Sequence, residues 1–279
     1  MAIEEMTVGT SSMDKSVFKK FVSLIYEKSG ITLNNNKEAL VSSRIAKRMR
    51  QLGITKHRDY LEYVLSDQRG EEIVHMLDVI STNVTHFFRE PEHFSFVEEK
   101  MITWLNGGQR RFTFWSAGCS SGEEPYTLAM VLNEILNSFS AEVRILATDL
   151  STRILSKSIN GNYDAKKLET VPSRLRDRYF TKEGIRENAV YTVKHELKSL
   201  VTFKRLNLSI VPFPMKGPMD IIFCRNVMIY FDNTVRINLL KEFHRLLKPG
   251  GYLLVGHAES LTGMLGGFKA LKPSVYTKV

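Results

Sequence analysis

The residues with the clearest chemical potential form a loop of small residues, Gly118-Cys-Ser-Ser-Gly122, followed directly by the carboxylates of Glu123 and Glu124. Apolar residues before the loop predict a β-strand, and Pro125 after it is typical of the first turn of a helix. Small residues let a ligand approach the backbone closely, and the start of a helix offers N–H groups that lack intrahelical partners. The pattern therefore predicts a ligand-binding turn between a strand and a helix.

A second apolar stretch, Ile145-Leu-Ala-Thr-Asp149, predicts another strand that ends in a single carboxylate. A strand, loop, helix, strand and acid in this order is how a parallel α/β sheet binds a nucleoside, because the acid accepts hydrogen bonds from the ribose hydroxyls. We therefore expect a nucleotide-type cofactor whose ribose lies on Asp149.

The loop favours S-adenosylmethionine over NAD as this cofactor. A dinucleotide loop has the pattern G-x-G-x-x-G, whereas this loop offers only Gly118 and Gly122 and is followed by Glu123 and Glu124. Two carboxylates at the start of a helix would repel a pyrophosphate, but they suit the sulfonium and ammonium groups of S-adenosylmethionine. The loop alone leaves one alternative open, an acidic first turn that only complements the helix dipole.

The composition is that of a globular protein, and it gives no sign of a metal site or a disulfide. The chain has 279 residues, 43% hydrophobic and 25% charged, which allows one large or two modest domains. Cys119 and Cys224 have no CxxC partner, and none of the seven histidines has HxxxH or HExxH spacing. The start at Met1 lacks a secretory signal, and no apolar run of about 18 residues occurs. We therefore expect a cytoplasmic protein that does not insert into a membrane and binds no metal.

Two basic regions predict a large acidic partner. Between Lys37 and Arg58, seven basic residues are balanced by one acid, Glu38, for a net charge of +6. Between Ser151 and Leu206, thirteen basic residues are balanced by six acidic ones, for a net charge of +7. Neither region includes the cofactor loop, so their charge is more useful for attracting a macromolecule.

The order of predicted elements indicates a helical domain followed by an α/β domain. After a tail at 1–13 that we expect to be disordered, helical periodicity predicts an all-helical domain at 14–81. A linker at 82–91 leads into an α/β domain at 92–279. Strands predicted at 111–116, 143–148, 219–224 and 252–256 alternate in that domain with helices at 125–138, 151–159 and 235–247.

A stretch at 162–205 interrupts this alternation. Polar and apolar residues alternate at 189–193 and again at 200–203, which is typical of half-buried strands. The whole stretch is therefore predicted to be a small antiparallel β-subdomain inserted between elements of the main sheet.

One predicted helix, 36–52, is apolar on one side and basic on the other. Its apolar arc is formed by Val41, Ile45, Met49 and Leu52. The remaining surface carries Lys37, Arg44, Lys47, Arg48 and Arg50. We expect Arg44, Lys47, Arg48 and Arg50 to bind the acidic partner, and a solvated face without any partner is the alternative.

Four stretches occur in a fixed order along the chain: Thr82-Asn-Val-Thr-His-Phe-Phe-Arg89, Trp115-Ser-Ala-Gly-Cys-Ser-Ser-Gly-Glu-Glu-Pro-Tyr126, Phe223-Cys-Arg-Asn-Val-Met-Ile-Tyr-Phe231 and Leu247-Lys-Pro-Gly-Gly-Tyr-Leu253. Together they closely resemble the CheR family of bacterial chemotaxis methyltransferases, over nearly the whole chain from about Phe18. Members of that family use S-adenosyl-L-methionine to methylate glutamate side chains on chemoreceptors, and they release S-adenosyl-L-homocysteine.

The resemblance implies both a fold and a partner. The fold would be a Rossmann-like S-adenosylmethionine-dependent methyltransferase domain with a small antiparallel β-subdomain insert, preceded by an all-helical domain. The activity would be protein-glutamate O-methylation in chemotaxis adaptation. The partner would be the cytoplasmic domain of methyl-accepting chemoreceptors, not nucleic acid, and we expect the enzyme to be a monomer.

The resemblance also implies which residues hold the cofactor. Position by position, it assigns this role to Asn83, Thr85, Arg89, Glu124, Asp149, Asn207, Leu208, Arg225 and Asn226. The chain departs from the family at Gly118 and Cys119, where other members often have two alanines. Both pairs are small, so we expect cofactor binding to be unchanged.

The implied chemistry needs positioning more than proton transfer, because a receptor glutamate is already ionised near neutral pH. Positive and negative charge disappear together as the methyl ester forms, so a water-poor site should favour the reaction. Arg89 and Tyr230 are the catalytic candidates, a guanidinium to orient the carboxylate and a hydroxyl near the methyl group. The alternatives are a plain ion pair of Arg89 with Glu90 or Glu92, and a core role for Tyr230.

Two other functions compete with receptor methylation. A nucleic-acid methyltransferase would explain the basic charge, but the motif Arg225-Asn-Val-Met228 differs from the Asn/Asp-Pro-Pro-Tyr type of enzymes that methylate nucleobase amines. A non-catalytic receptor adaptor would have lost its cofactor residues, whereas all the assigned positions are intact.

Overall fold

A computed structural model describes residues 13–81, 83–185, 188–264 and 266–279 of the chain, and for Asn35 the backbone only. The chain divides into two compact units, Met1–Thr82 and Asn83–Val279. Most of the tail that we expect to be disordered, 1–12, lies outside the described residues, while Met13 is described and buried.

The described part of the first unit, residues 13–81, contains four helices. They are α1 (Lys15–Ser29), α2 (Glu38–Leu52), α3 (His57–Ser66) and α4 (Glu71–Ile80), with a 3-10 turn at Asn35–Lys37 before α2. Asp14 caps α1 by accepting a hydrogen bond from the Ser16 N–H at 2.6 Å. Gly30 ends α1 with a φ of 70°, a conformation that glycine adopts without strain. Apolar side chains from all four helices, including Phe21, Ile45, Tyr60 and Met76, form its core.

The second unit is built on a main sheet with the strand order β6-β2-β1-β7-β8-β10-β9. Its strands are β1 (Arg111–Ala117), β2 (Glu142–Asp149), β6 (Val201–Arg205), β7 (Met219–Cys224), β8 (Leu247–Val255), β9 (Phe268–Lys272) and β10 (Val275–Lys278). The five strands from β6 to β8 are parallel, and β10 is antiparallel to both of its neighbours. The helices of this unit are α5 (Glu92–Asn106), α6 (Glu123–Leu136), α7 (Thr152–Asn160), α8 (Ser173–Tyr179), α9 (His195–Lys198) and α10 (Asn233–Leu246).

Both faces of the main sheet are buried. Along β1, Phe114 belongs to one apolar cluster and Trp115 to the other. Along β7, Phe223 belongs to the same cluster as Phe114, and Ile222 belongs to the same cluster as Trp115. Strands that are buried on both faces are typical of a parallel sheet covered by helices on both sides. The predicted Rossmann-like fold is confirmed, with the strand order reversing between β1 and β7, where ligands bind in such sheets.

A second, antiparallel sheet has the order β3-β5-β4, formed by β3 (Asn162–Asp164), β4 (Phe180–Glu183) and β5 (Val190–Val193). The predicted small antiparallel insert is therefore present, and 186–187 within it lie outside the described residues. The assignment of 200–203 to this insert is wrong, because β6 pairs in parallel with β2. As the edge strand of the main sheet, β6 buries Val201 and exposes Thr202, so its alternation resembles that of an antiparallel strand.

Among the described residues, no helix is both long and apolar enough to span a bilayer.

Candidate active site

Adjacent parallel strands deliver most of the predicted cofactor residues to one edge of the main sheet. Asn207 and Leu208 follow β6, Asp149 ends β2, the small-residue loop follows β1, and Arg225 and Asn226 follow β7. These four strands are neighbours in the order β6-β2-β1-β7. Because the carboxyl ends of parallel strands meet at the same edge, the structure brings these residues together at the point where the strand order reverses.

Asp149 holds the loop after β1 in place. Its carboxylate is buried and accepts hydrogen bonds from the backbone N–H of Ser120 at 2.8 Å and of Ser151 at 3.0 Å. Ser120 adopts a φ of 49°, a strained conformation for a non-glycine residue, within a loop that also passes through left-handed glycines. Since each carboxylate oxygen has two lone pairs, the acid can hold the loop and still accept from ribose hydroxyls.

The two glycines of the loop are required by close approaches. A Cβ atom on Gly118 would lie 2.4 Å from Cγ2 of Val227, in the segment that follows β7. A Cβ atom on Gly122 would lie 2.9 Å from the hydroxyl oxygen of Tyr163, in β3 of the insert. Gly122 is also the N-cap of α6, which begins at Glu123 rather than at the predicted Pro125. The loop is therefore packed tightly between two other segments.

A buried ion network crosses the site. The Arg225 side chain, 1% exposed, lies 3.0 Å from Oε2 of Glu124 and 3.1 Å from Oε2 of Glu90, and it donates a hydrogen bond to the Arg89 carbonyl. Glu124 also accepts a hydrogen bond from the Ser116 hydroxyl at 2.6 Å. Burial raises the pKa of Glu124, although Arg225 opposes this shift. Burial would also raise the pKa of Glu90, but the guanidinium of Arg225 holds that pKa below its ordinary value.

Backbone carbonyls of the segment at 83–91 accept hydrogen bonds from side chains of the insert. One of these side chains also forms an ion pair beside the cofactor loop. Lys167, in a 3-10 turn after β3, donates to the Thr85 carbonyl at 3.1 Å and pairs with Oε1 of Glu123 at 2.9 Å. The Thr170 hydroxyl donates to the Phe87 carbonyl at 2.8 Å. The guanidinium of Arg89 donates to the Val84 carbonyl at 3.1 Å. Among the described residues, Glu90 pairs with Arg225 and with a histidine, and Glu92 pairs with another histidine. Neither glutamate forms the plain ion pair with Arg89 that was the alternative.

Replacing Lys167 with methionine is expected to lower the free energy of unfolding by about 2 kcal/mol. The reason is that the fully buried carboxylate of Glu123 would lose the cation that partners it. Urea denaturation measures the change. Lys166→Met in the same turn is the matched control, because Lys166 is exposed and should change stability by less than about 0.5 kcal/mol. Equal stability of the two variants would show that the pair with Glu123 contributes nothing.

Tyr230 and Asn226 lie in the short segment after β7. Asn226 has a φ of 60°, and Tyr230 ends a 3-10 turn, Met228–Tyr230, with its side chain half-buried.

On the other flank of the site, Oδ1 of Asn207 accepts from the Ser209 N–H at 3.0 Å and so closes the turn after β6. Leu208 beside it is buried.

One cluster of possible metal ligands was not visible in the sequence. Donor atoms of Glu90, His93 and His257 all lie within 4.8 Å of one another. Burial, and then the charge of Arg225, lower the pKa of His93 to about 4, so its ring is neutral near pH 7. However, the Arg225 guanidinium lies 3.1 Å from the same Glu90 carboxylate and would repel a cation there. That no metal is bound therefore stays a prediction.

In the helical unit, two of the four predicted receptor-binding residues are engaged internally. Arg48 makes two hydrogen bonds to the buried Glu72, at 2.9 Å and 2.6 Å, and Tyr60 donates to the same carboxylate. Arg44 donates to the Ile80 carbonyl. Lys47 and Arg50 are exposed. The helical wheel could not reveal this, because Glu72 and Ile80 come from α4.

Comparisons with known proteins agree with the fold. Residues 83–277 match the family model "CheR methyltransferase, SAM binding domain", and residues 16–81 match "CheR methyltransferase, all-alpha domain". The chemotaxis protein methyltransferase of Borreliella burgdorferi is 36% identical, over 96% of this chain and 95% of its own length. The Escherichia coli K12 protein of the same name is 36% identical, over 93% of this chain and 88% of its own length. A probable chemotaxis protein methyltransferase of Rhizobium etli is 38% identical, over 86% of this chain and 91% of its own length.

Proposed function

This chain belongs to the CheR methyltransferase family and is an S-adenosylmethionine-dependent methyltransferase of bacterial chemotaxis, and we propose the residues and the receptor groups through which it acts. The acceptors are glutamate side chains on the cytoplasmic domain of methyl-accepting chemoreceptors, and the product is a glutamate methyl ester. The observation that supports cofactor binding is the set of mostly polar residues at the carboxyl ends of β6, β2, β1 and β7, next to the reversal in strand order. Membership of the CheR family supports the receptor as the acceptor.

The residues at this edge fit the cofactor chemically. Asp149 would accept from the ribose hydroxyls, and Glu124 would face the ammonium group of the methionine moiety. Asn207 and Leu208 would flank the adenine, while Arg225 and Asn226 would close the pocket from the β7 side. Asn83, Thr85 and Arg89 would contact the cofactor from the N-terminal segment. Gly118 fixes the loop against the segment after β7, because a Cβ atom there would collide with Val227.

When bound, S-adenosylmethionine supplies an electrophilic methyl group on a positively charged sulfur. The receptor glutamate needs no general base, because its carboxylate is ionised near neutral pH. A carbon–oxygen bond forms as the carbon–sulfur bond breaks, and the opposite charges of the two partners are lost together. The protein must therefore align the groups and exclude water, and alignment alone can contribute several kcal/mol.

Two residues would do this alignment at the acceptor side. The Arg89 guanidinium offers a planar set of donors that matches a carboxylate, and its hydrogen bond to the Val84 carbonyl leaves further donors for a substrate. Tyr230 would place its hydroxyl near the reacting methyl group, from the turn that follows Arg225 and Asn226. The buried Arg225 would keep both segments together, since it binds the Arg89 carbonyl and Glu124 at once.

Receptor docking is expected to use the exposed cations of α2. Lys47→Glu combined with Arg50→Glu should raise the KM for receptor about fivefold at low salt and leave the Kd for the cofactor unchanged, because opposite charges steer the acidic receptor towards the enzyme. Initial rates against receptor concentration measure this effect. Arg44 and Arg48 are left intact, since Arg48→Glu would also unpair the buried Glu72.

The matched control for this prediction is Lys19→Glu with Lys20→Glu, which changes the net charge equally on the exposed side of α1. The wild-type KM should also rise with salt, because exposed charges are screened beyond about 8 Å at physiological ionic strength. A KM that depends neither on salt nor on Lys47 and Arg50 would favour a solvated face without a partner.

The proposed acceptor can be tested against its competitors in one experiment. The protein is incubated with methyl-labelled S-adenosylmethionine and either receptor-containing membranes or nucleic acid. Receptor methylation predicts label in the membrane protein alone. Label in nucleic acid would support the competing methyltransferase, and cofactor binding without any transfer would support a non-catalytic adaptor.

A further inference from the structure

Glu259, which is buried in the loop after β8, contacts the segment that carries the proposed catalytic tyrosine. Its side chain is 3% exposed. Oε2 accepts from the Asn226 N–H at 2.6 Å and from the Gly256 N–H at 2.6 Å, while Oε1 accepts from the Ile229 N–H at 3.3 Å. Both carboxylate oxygens therefore act as acceptors, and their donors are backbone groups.

This carboxylate connects the ends of two neighbouring strands. β7 and β8 are parallel neighbours, with Cys224 opposite Val255 at their carboxyl ends. The close packing there requires Gly256, because a Cβ atom at that position would lie 2.9 Å from the backbone nitrogen of Asn226 and 2.9 Å from Oε2 of Glu259. Glu259 thus ties the loop after β8 to the segment after β7.

The segment that Glu259 holds contains a strained backbone position. Asn226 is in the left-handed region with a φ of 60°, which costs a non-glycine residue free energy. Two of the N–H groups that Glu259 binds belong to Asn226, which precedes the 3-10 turn, and to Ile229, which lies within it. Tyr230 comes directly after Ile229, and Arg225 directly before Asn226.

The carboxylate is itself costly to bury. Among the ion pairs of the described residues, none involves Glu259, so backbone N–H groups alone offset its desolvation. Burial raises the pKa of Glu259, and the backbone hydrogen bonds counteract that shift. A buried acid that is satisfied only by the backbone of a functional segment suggests a role in fixing that segment.

We propose that Glu259 is a positioning residue for methyl transfer, which fixes the 225–230 segment so that the Tyr230 hydroxyl meets the reacting methyl group. The proposal rests on the role of Tyr230 given above. Glu259 does not touch the reacting atoms, and it acts through Asn226 and Ile229.

Glu259→Gln tests this with almost no change in shape. An amide has one acceptor oxygen and one NH2 donor group, so in either orientation a backbone N–H would face a donor. We expect kcat for receptor methylation to fall at least tenfold, by a larger factor than the rise in the Kd for S-adenosylmethionine, for which Asn226 is a proposed contact. Glu259→Asp, which keeps the charge but shortens the side chain by one methylene group, should also lower kcat more than it weakens cofactor binding.

The control is Glu242→Gln on α10. Glu242 is also buried and accepts from a backbone N–H, that of Phe213 at 2.8 Å, but it pairs with Arg245 away from the predicted cofactor residues. Its substitution should lower the melting temperature while kcat is retained. Tyr230→Phe provides the reference for a lost hydroxyl, and the kinetic pattern of Glu259→Gln should resemble it.

Amide hydrogen exchange without receptor gives a readout that does not depend on the proposed acceptor. Exchange at Asn226, Gly256 and Ile229 should accelerate in Glu259→Gln and stay unchanged in Glu242→Gln. Wild-type kcat in a folded Glu259→Gln protein, or unchanged exchange at these three amides, would overturn the inference. If wild-type enzyme methylated no receptor, the proposed acceptor would fail instead, while the exchange experiment would still show whether Glu259 fixes the segment.

Discussion

Replacing Arg89 with alanine is expected to lower kcat/KM for receptor methylation by about a thousandfold, equivalent to about 4 kcal/mol of transition-state stabilisation. The guanidinium is the group proposed to align the acceptor carboxylate, and a misaligned carboxylate loses most of the benefit of a preorganised site. The Kd for S-adenosylmethionine should rise as well, because Arg89 is also a proposed cofactor contact. Single-turnover rates and calorimetry separate the two effects.

The alanine substitution at Arg89 should remove only the contacts of the side chain and leave those of the backbone. Arg225 binds the backbone carbonyl of Arg89, and that carbonyl remains in the alanine variant. The Val84 carbonyl, which loses its partner, belongs to a residue that is 75% exposed, so water can replace the lost hydrogen bond. Arg89→Lys is the informative companion, because it keeps the charge but not the planar pair of donors. Turnover close to wild type in Arg89→Ala would remove Arg89 from the catalytic machinery.

Replacing Asp149 with asparagine is expected to weaken S-adenosylmethionine binding by about a hundredfold, or about 2.7 kcal/mol. The substitution would remove the charged acceptor proposed for the ribose hydroxyls. It would also turn an NH2 group towards one of the two backbone N–H groups, of Ser120 and Ser151, that the carboxylate now binds. The loop after β1 should therefore loosen, and Asp149→Ala should have a similar effect. Titration calorimetry with S-adenosylmethionine measures both variants.

Asp220→Asn is the matched control for this experiment. Asp220 is also buried, accepts from the Thr113 N–H at 2.7 Å and pairs with Lys248 at 2.5 Å. It lies near the start of β7, at the opposite end of the strand from Arg225. Its substitution should lower stability and leave cofactor affinity intact. An unchanged affinity in Asp149→Asn would contradict the assignment of the ribose site.

Most of the second unit could be predicted because each strand and helix has its own local pattern. Buried strands such as Met219–Cys224 are mostly apolar. The bounds of β1, β2 and β7 differ from the prediction by one residue at most, whereas β8 begins at Leu247, five residues before the predicted start. The exception is β6, whose alternating exposure reflects its place at the edge of a parallel sheet. That place depends on pairing with β2, more than fifty residues earlier in the chain. Local periodicity cannot carry this information.

In the candidate site, too, some features follow from local sequence and others depend on residues far away in the chain. Asp149 was predictable because an acid at the end of a strand has a recognisable sequence context. The partners of Arg225 were not, since Glu90 and Glu124 lie 135 and 101 residues before it. The partner of Arg48 was not predictable either, because Glu72 lies on another helix. Glu259 has only backbone partners, and no side-chain pattern in a single sequence could indicate them.

The most direct test of the proposed function identifies the atom that receives the methyl group. Receptor protein is incubated with the enzyme and S-adenosylmethionine, digested, and sequenced by tandem mass spectrometry before and after mild base treatment. We predict that wild-type enzyme adds one methyl group to specific glutamate side chains, that base releases it as methanol, and that Arg89→Ala adds almost none. Methyl groups that resist base, that lie on other side chains, or that appear equally with Arg89→Ala would contradict the proposed function.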